Sequence, residues 1–346
     1  MSSRTEVDSR ANSSHEREHA TVTRYRSTRL LHSSMALVAL GLAGYVGGLV
    51  TDQDLLNPRY SPHRQVDLTE PSAPADTPAM PASPDSDLLV MAVAPVISPE
   101  RSVPLYDGLV RYLAARVGRK PVLLQGSSYA ETNDLVRQGR CDVAFVCTYA
   151  FVVGERSFGM QLLAAPIIQG SDTYQSLLVA PVDSGARSLL DFRGKRFASA
   201  DPLSWSGSVY TATSLIAAGE DPHRFFGEQL VVGSHDRAIR VVALGLADGA
   251  SVDSLVYEEM VRRDPELERR LEVVQSSPRF GMPPLVVPAR IDPRLREQLL
   301  EALLGMSRSP EGTAVLQQLG IDRFVVPPAR QYDDVRSGAS VWEGRR

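Results

Sequence analysis

The sequence predicts an α/β fold of two lobes, in which each lobe is a mainly parallel sheet flanked by helices and crossing hinge strands join the lobes. Three observations support this fold class. From Leu88 onward, short apolar runs alternate with amphipathic helical stretches, as they do in doubly wound sheets. Two apolar runs at 162–168 and 174–181 interrupt the alternation, which then begins again. A last apolar run at 283–288 brings the chain back, so two α/β units with a cleft between them are expected.

Local patterns justify each predicted element. In the first predicted helix, Leu105, Leu109 and Leu113 recur at helical spacing. The first unit is predicted to have strands at 88–95, 121–126, 142–147, 162–168 and 174–181, and helices at 101–117, 129–138 and from Tyr149. The rest of the chain is predicted to have strands at 196–200, 229–233, 249–252, 271–277 and 283–288, and helices at 206–219, 236–247, 254–262, 293–306 and 310–318. Because ligands bind beyond the carboxyl ends of strands in such sheets, the site is expected between the lobes.

The first 86 residues differ in composition from the rest of the chain. Residues 1–29 are polar and charged, which predicts a disordered cytoplasmic tail. Residues 30–50 are apolar and, as a helix, rise about 30 Å, which is enough to cross a bilayer. The long polar segment before this run favours an uncleaved transmembrane anchor over a cleaved signal peptide, and the preceding arginines orient the N-terminus to the cytoplasm. Residues 51–86 are rich in proline, which predicts an extended linker.

The folded part follows this linker and is expected on the periplasmic or extracytoplasmic face of the cytoplasmic membrane. Its predicted boundaries are 87–178 and 279–330 for the first lobe, 179–278 for the second lobe, and 331–346 for a C-terminal tail. Nucleic acid is not an expected partner, because the chain has a formal net charge of −4 and no basic stripe.

The two cysteines, Cys141 and Cys147, belong to one predicted strand. At the rise of a strand they would lie about 20 Å apart, whereas a disulfide requires Cα atoms within about 7 Å. We therefore expect them to be unpaired. An alternative function for Cys147 is that of a soft ligand that reaches a pocket from the strand end. No cysteine or histidine cluster has the spacing of a metal site, so no metal is expected.

Two loops in the second half combine hydroxyl groups with the start of a predicted helix. Ser204 and Ser206 precede one helix, and Ser234 and His235 precede another. The first N–H groups of a helix are unsatisfied and its dipole favours negative charge, so the two loops predict an anion site. The alternative for each serine is an ordinary helix cap. A serine hydrolase is disfavoured, because no nucleophile elbow is present and Asp236 follows His235 directly. No phosphate-binding loop or dinucleotide motif predicts a cofactor.

Several motifs resemble those of the phosphate, phosphite and phosphonate substrate-binding proteins of bacterial ABC importers. They are DPLSWSG, AGEDPHRFF, GSHDRAIRVVALGLADGASVDS and GTAVLQQLGIDRF, in that order. The resemblance covers about residues 87–330. It implies a type 2 periplasmic binding fold that closes on its ligand without catalysis, so the protein is expected not to be an enzyme. It also implies an ABC permease as the partner and no cofactor.

The resemblance also implies ligand-binding positions, to which the loop analysis adds Ser234. The predicted ligand-binding residues are Tyr129, Tyr174, Ser204, Trp205, Ser206, Ser234 and His235, and further candidates are Tyr149, Cys147 and Asp253. The two tyrosines have the alternative of being ordinary half-buried aromatic residues, and His235 that of a helix cap.

The sequence departs from the family pattern in ways that bear on the ligand. Trp205 stands where the family often has a hydroxyl, which removes one donor and narrows the pocket. Leu255 and Pro283 lie near the positions where binders of aminoalkyl phosphonates have acidic residues, with Asp253 close by. Phosphite, phosphate or a short alkyl phosphonate is therefore expected. The alternative is a periplasmic sensor for an oxyanion or arsenite that signals to a histidine kinase, which Cys147 and the membrane anchor would suit.

Overall fold

A computed structural model of the protein describes residues 87–345. The predictions of a cytoplasmic tail, a membrane segment and a linker concern residues 1–86, which lie outside the described residues. Within 87–345, no helix has the length and apolar character needed to cross a membrane.

The first half of the described chain alternates strands and helices closely as predicted. Its elements are β1 (Leu88–Val93), α1 (Pro99–Val117), β2 (Lys120–Gln125), α2 (Tyr129–Arg137), β3 (Val143–Phe145), α3 (Thr148–Phe158), β4 (Gln161–Ile167), β5 (Thr173–Tyr174) and β6 (Ser176–Pro181). The predicted strand 142–147 is shorter in the structure, because Cys147 is already the N-cap of α3.

The second half continues the same alternation. Its elements are β7 (Arg196–Ser199), a π-helical turn (Trp205–Val209), α4 (Tyr210–Ala217), α5 (Pro222–Phe225), β8 (Glu228–Val231), α6 (His235–Ala243), β9 (Gly249–Asp253), α7 (Ser254–Arg263), α8 (Glu266–Arg270), β10 (Leu271–Ser276), β11 (Phe280–Gly281), β12 (Leu285–Val287), α9 (Pro293–Gly305), α10 (Pro310–Leu319), β13 (Arg323–Val325) and α11 (Asp333–Glu343).

Two sheets define two lobes, as the sequence predicts. Lobe 1 carries a six-stranded sheet in the order β13-β4-β12-β3-β1-β2, in which β12 and β13 run opposite to the other four strands. Lobe 2 carries a five-stranded sheet in the order β10-β6-β9-β7-β8, in which β6 alone is antiparallel to its neighbours. Both sheets are thus mainly parallel, and the predicted fold class is confirmed.

The chain crosses between the lobes at β5 and β11, which pair with each other through Tyr174 and Phe280. β6 pairs with the second sheet from its first residue, since Ser176 lies opposite Asp253. Lobe 2 therefore begins at Ser176, whereas the sequence analysis sets the boundary after Leu178. The change of pairing falls at the polar residues Gln175 and Ser176, which the sequence analysis includes in a single predicted strand at 174–181.

Helices cover both faces of each sheet, which explains the nearly continuous apolar strands. In β1, Leu89 and Met91 belong to the core under α1, α9 and α10, while Val90 and Ala92 belong to the core under α2 and α3. In lobe 2, α6 and α7 cover one face and α4 and α5 lie over the other.

The segment 331–346, expected to be a C-terminal tail, contains helix α11 in the structure. Val335 and Ala339 are buried against α3 and the turn that begins at Trp205. Arg336 forms two hydrogen bonds of 2.9 Å with the Glu155 carboxylate of α3. The helix lies beyond residues 87–330, which the motif resemblance covers, so the sequence analysis did not include it in the fold.

Candidate functional site

The predicted site residues meet where the lobes face each other. Every one of them is buried, with an exposed fraction of at most 3%. Tyr129 and Cys147 come from lobe 1, Tyr174 from the hinge strand β5, and Ser204 and His235 from lobe 2. The carboxyl ends of the parallel strands and the helix starts that follow them thus converge, as the sequence predicts.

The serine turn is built around Ser204. Its hydroxyl oxygen accepts a hydrogen bond from the Gly207 main-chain N–H at 3.0 Å, so Ser204 is a helix cap, which is the alternative named for it in the sequence analysis. The same oxygen lies 3.1 Å from His235 Nε2. A Cβ atom on Gly207 would lie 2.9 Å from His235 Cε1 and 2.9 Å from Ser204 Oγ. Glycine at this position therefore permits the close approach of the turn to the imidazole.

Both ring nitrogens of His235 have partners in the protein. Nδ1 accepts a hydrogen bond from the Asp253 main-chain N–H at 3.1 Å, and Nε2 faces Ser204. Burial lowers the pKa of His235 to about 4, so the ring is neutral at physiological pH. The sequence analysis predicts His235 as a ligand contact; in the structure its ring nitrogens face Ser204 and the main chain of Asp253.

Ser234 also differs from its prediction. Its hydroxyl donates to Asp236 Oδ1 at 2.6 Å, and its side chain makes no capping hydrogen bond to α6. The hydroxyl is therefore committed to the Asp236 carboxylate instead of to a ligand.

Three of the predicted site residues carry a buried polar group that has no well-formed hydrogen bond within residues 87–345. They are the Tyr129 hydroxyl, the Ser206 hydroxyl and the Trp205 indole N–H. Buried polar atoms are almost always hydrogen-bonded, and a buried donor without a partner costs about 1–3 kcal/mol. Tyr129 belongs to lobe 1 and Ser206 to lobe 2, so each lobe contributes one buried hydroxyl of this kind.

Tyr174 adds a further hydroxyl. It lies 2.9 Å from the Thr148 hydroxyl and is 1% exposed. Burial raises the pKa of Tyr174 well above its ordinary value, with Cys147 and Asp253 adding to the rise, so the phenol keeps its proton. Ser206 makes no well-formed hydrogen bond, yet it lies close enough to the Tyr174 hydroxyl to favour the phenolate.

Cys147 lies in the same wall of the site. Burial raises the pKa of its thiol, although the main-chain N–H groups of Trp205 and Tyr149 that face the sulfur favour the thiolate. Both cysteines are buried and unpaired. Tyr149 contacts the Trp205 ring at 6.5 Å between centroids and donates its hydroxyl to Glu343 at 3.1 Å, so it supports the wall from behind.

Asp253 ends β9 and caps α7, and its Oδ1 accepts the Leu255 N–H at 2.8 Å. Burial raises its pKa to about 7. Its charge also raises the pKa values of Tyr129 and Tyr174. Within the described residues, no group of three or more His, Cys, Asp or Glu side chains has the arrangement of a metal site.

The sequence analysis missed the residues that hold the lobes together. Asp201 Oδ2 in lobe 2 accepts the Tyr129 N–H of lobe 1 at 3.1 Å. Ser98 of lobe 1 is bonded to Asp236 of lobe 2, and the His235 N–H donates to a lobe 1 carbonyl at 3.0 Å. Asp201 lies inside the DPLSWSG motif, so the motif could have indicated it, whereas no motif of the sequence marks Ser98.

The two α/β lobes, the paired hinge strands and the buried hydroxyls between the lobes define a type 2 periplasmic binding protein. The chain belongs to the family described as "ABC transporter, phosphonate, periplasmic substrate-binding protein", which matches residues 91–332. The resemblance inferred from the sequence motifs is therefore confirmed.

Two curated relatives and two solved structures illustrate this similarity. The Phosphate-import protein PhnD of Mycolicibacterium smegmatis is 31% identical over 183 residues, which are 50% of this chain and 57% of that protein. The Phosphonates-binding periplasmic protein of Escherichia coli is 23% identical over 222 residues, or 63% of this chain and 65% of that protein. The match thus spans less than two thirds of the length of either relative.

The solved structures show similarity of fold. A binding protein component of an ABC phosphonate transporter from Pseudomonas aeruginosa has a TM-score of 0.70 at 21% identity, over 75% of this chain and 88% of that one. PhnD1 from Prochlorococcus marinus, in complex with methylphosphonate, has a TM-score of 0.68 at 16% identity, over 74% of this chain and 98% of that one.

Proposed function

We propose that the protein captures a small phosphorus oxyanion between its lobes and delivers it to an ABC permease. The observation that carries this proposal is the pair of unpaired hydroxyls, Tyr129 in lobe 1 and Ser206 in lobe 2, both fully buried. A tetrahedral oxyanion offers acceptor atoms in several directions, so it satisfies donors on both lobes at once. Binding and closure are then the same event.

The energy available from these donors suits a transport protein. Each hydrogen bond to a charged group contributes about 1.5–3 kcal/mol. Micromolar affinity corresponds to about 8 kcal/mol. Four donors, from Tyr129, Tyr174, Ser204 and Ser206, would contribute about 6–12 kcal/mol, a range that includes this value.

The proposed ligands are phosphate, phosphite and a short alkyl phosphonate. Trp205 presents no side-chain hydroxyl, and its ring packs against Phe280 at 5.4 Å between centroids instead of lining a long groove. Leu255 and Pro283 offer no carboxylate to a ligand amine. The names of two relatives, a phosphate-import protein and a methylphosphonate complex, support the same class.

The contacts of His235 support binding without catalysis. In a Ser-His-Asp triad, Nδ1–H donates to a carboxylate and the free Nε2 takes the serine proton. Here Nδ1 accepts from the Asp253 N–H, so the proton is on Nε2 and the ring is unable to act as a base toward Ser204. Asp236 instead faces Ser98 and Ser234.

Isothermal titration calorimetry of the purified full chain tests this function. The panel contains phosphite, phosphate, methylphosphonate and 2-aminoethylphosphonate. Absence of binding to all four ligands would contradict the proposal. Tightest binding of the amine-bearing ligand would contradict the ligand class. Arsenite binding that is lost in Cys147→Ser would favour the sensor alternative, and release of phosphate from a phosphate ester would favour a hydrolase.

We also infer that residues 30–50 anchor the protein at the periplasmic face of the cytoplasmic membrane. The support is the apolar character of this run, followed by the proline-rich stretch 51–86. The mass of the mature protein decides between anchor and cleaved signal, because a mature chain that starts near residue 50 refutes the anchor.

A further inference from the structure

We propose that His235 is a positioning residue that turns Ser204 into an obligate hydrogen-bond donor toward the ligand. The proposal concerns the anion site and rests on the proposed function. It assigns to His235 an action through Ser204, in place of direct contact with the ligand.

The tautomer of His235 follows from its partners. A main-chain N–H is able only to donate, so the 3.1 Å contact between the Asp253 N–H and Nδ1 requires an unprotonated Nδ1. A neutral imidazole has one N–H group, which must then be on Nε2. In an imidazolium, Nδ1 would carry a hydrogen, and this N–H group would face the Asp253 N–H with no acceptor between them. Burial of the ring also disfavours the charged form.

The state of the Ser204 hydroxyl follows from this tautomer. A hydroxyl oxygen has two lone pairs and one hydrogen. One lone pair of Ser204 Oγ accepts the Gly207 N–H at 3.0 Å, and the other accepts the His235 Nε2–H at 3.1 Å. The hydroxyl hydrogen is then the only group left to bond, and it finds no acceptor in residues 87–345. Like the Tyr129 and Ser206 hydroxyls, the Ser204 hydroxyl is thus a buried donor without an acceptor in the described residues.

This arrangement has a chemical consequence for recognition. A serine hydroxyl ordinarily rotates and either donates or accepts. Because His235 and Gly207 occupy both lone pairs, Ser204 discriminates in favour of a ligand oxygen that carries no proton at this position. The orientation is also set before the ligand arrives, which removes part of the ordering cost of binding.

A double-mutant cycle on the full chain tests the coupling, with affinity for phosphite and phosphate measured by calorimetry. His235→Asn retains an acceptor near Nδ1 but has no donor at the Nε2 position. We expect His235→Asn to weaken binding by about 10- to 100-fold and Ser204→Ala to do the same. In the Ser204→Ala background, His235→Asn should change affinity by less than about 2-fold. His223→Asn, at an exposed histidine, is the matched control and should leave affinity unchanged.

Additive losses in the cycle would overturn the proposal, because they would mean that His235 contacts the ligand by itself. Absence of any binding by the wild-type chain would instead refute the proposed function. Nitrogen NMR of the ¹⁵N-histidine-labelled wild-type chain adds a readout that needs no ligand. We expect one histidine with a protonated Nε2 and an unprotonated Nδ1 at pH 7, absent from the spectrum of His235→Asn. An Nδ1–H tautomer or an imidazolium for that residue would overturn the proposal.

Discussion

Asp236 in lobe 2 accepts two hydrogen bonds from Ser98 in lobe 1, one from the main-chain N–H at 2.9 Å and one from the hydroxyl at 2.7 Å. Ser98, Asp236 and Ser234, which holds the same carboxylate, are all buried. Hydrogen bonds to a charged group are stronger than neutral ones. The closed arrangement of the lobes is therefore stabilised by direct protein contacts in addition to any ligand.

Ser98→Ala should shift the protein toward an open form and weaken ligand binding. The change removes the hydroxyl bond to Asp236 but costs no helix cap, because the Ser98 side chain does not cap α1. Loss of a bond worth about 1.5–3 kcal/mol predicts roughly 10- to 100-fold weaker binding. Calorimetry measures the affinity, and small-angle scattering of the ligand-free chain should give a larger radius of gyration. Ser184→Ala is the control, since its bond to Glu272 is exposed and lies within lobe 2.

Tyr129→Phe should lower affinity without lowering stability. The Tyr129 hydroxyl has no partner in the described part of the chain, so its removal relieves a buried unsatisfied donor in the ligand-free state. In the complex, the same change loses a hydrogen bond to the ligand worth about 1.5–3 kcal/mol. Thermal unfolding should therefore show that the variant is no less stable than wild type, whereas calorimetry should show that it binds the ligand more weakly.

Tyr332→Phe is the matched control for that variant. Tyr332 is also fully buried, but its hydroxyl donates to the Met282 carbonyl at 2.9 Å. The substitution should cost about 1 kcal/mol or more of unfolding free energy and leave affinity nearly unchanged. A stability loss in Tyr129→Phe equal to that in Tyr332→Phe would mean that the Tyr129 hydroxyl has a protein partner in solution.

The fold was largely predictable because burial on both faces of each sheet produces apolar runs that are visible in sequence. β1 and β9, for example, are almost entirely buried. The exact lobe boundary was missed, because the sequence analysis joins into one strand two short strands, β5 and β6, that the polar residue Gln175 separates. Helix α11 was missed for another reason: although it buries Val335 and Ala339 on one face, it lies beyond the segment that the family motifs cover.

The sequence predicts the part of the site that consists of side chains at the starts of helices. Ser204, Ser206 and His235 follow strands directly, so their convergence is a consequence of the sheet topology. The partners of His235 were not predictable, because one of them is the main-chain N–H of Asp253, which any residue would supply. The Ser98–Asp236 contact joins residues 138 positions apart and exists only when the lobes close.

Gly338→Ala should destabilise the protein by about 1–3 kcal/mol through overpacking. A Cβ atom on Gly338 would lie 2.3 Å from Cη2 of Trp205. Trp205 is only 2% exposed, so its ring is unable to move away without displacing its neighbours. Because the Trp205 main chain belongs to the serine turn, displacement of the ring should also weaken ligand binding. Denaturant unfolding and calorimetry measure the two effects.

Gly108→Ala is the control for Gly338→Ala, since both glycines lie inside helices. A Cβ atom on Gly108 would have its nearest neighbour at 3.4 Å, which is close to an ordinary contact. Alanine should therefore be neutral there or stabilise α1 by up to about 1 kcal/mol. Equal stability of the two variants would contradict the tight contact between α11 and Trp205.

Asp253→Asn should change how stability depends on pH. Burial raises the folded-state pKa of Asp253 to about 7, from 3.8. Between these values the native state holds a proton that the unfolded state has lost, so this group's contribution to wild-type stability falls as pH rises. Asparagine does not titrate and still offers an oxygen to the Leu255 N–H. The variant should therefore gain stability relative to wild type from pH 4 to pH 7, by at most about 1.4 kcal/mol per pH unit, and the difference should stay constant above that range.

Urea unfolding of both chains across this pH range measures the difference in unfolding free energy directly. Asp264→Asn supplies the comparison: Asp264 accepts the N–H two residues ahead, as Asp253 does, but it is exposed to solvent. This variant is measured under the same conditions as a substitution at the protein surface. The depressed pKa of His235 produces a slope of opposite sign below its ordinary value of 6.5, and this slope is common to all three chains, so it cancels in the differences. Parallel profiles for Asp253→Asn and wild type would show that the Asp253 carboxyl is hydrated in solution, and hence that the lobes spend most of their time apart when no ligand is bound.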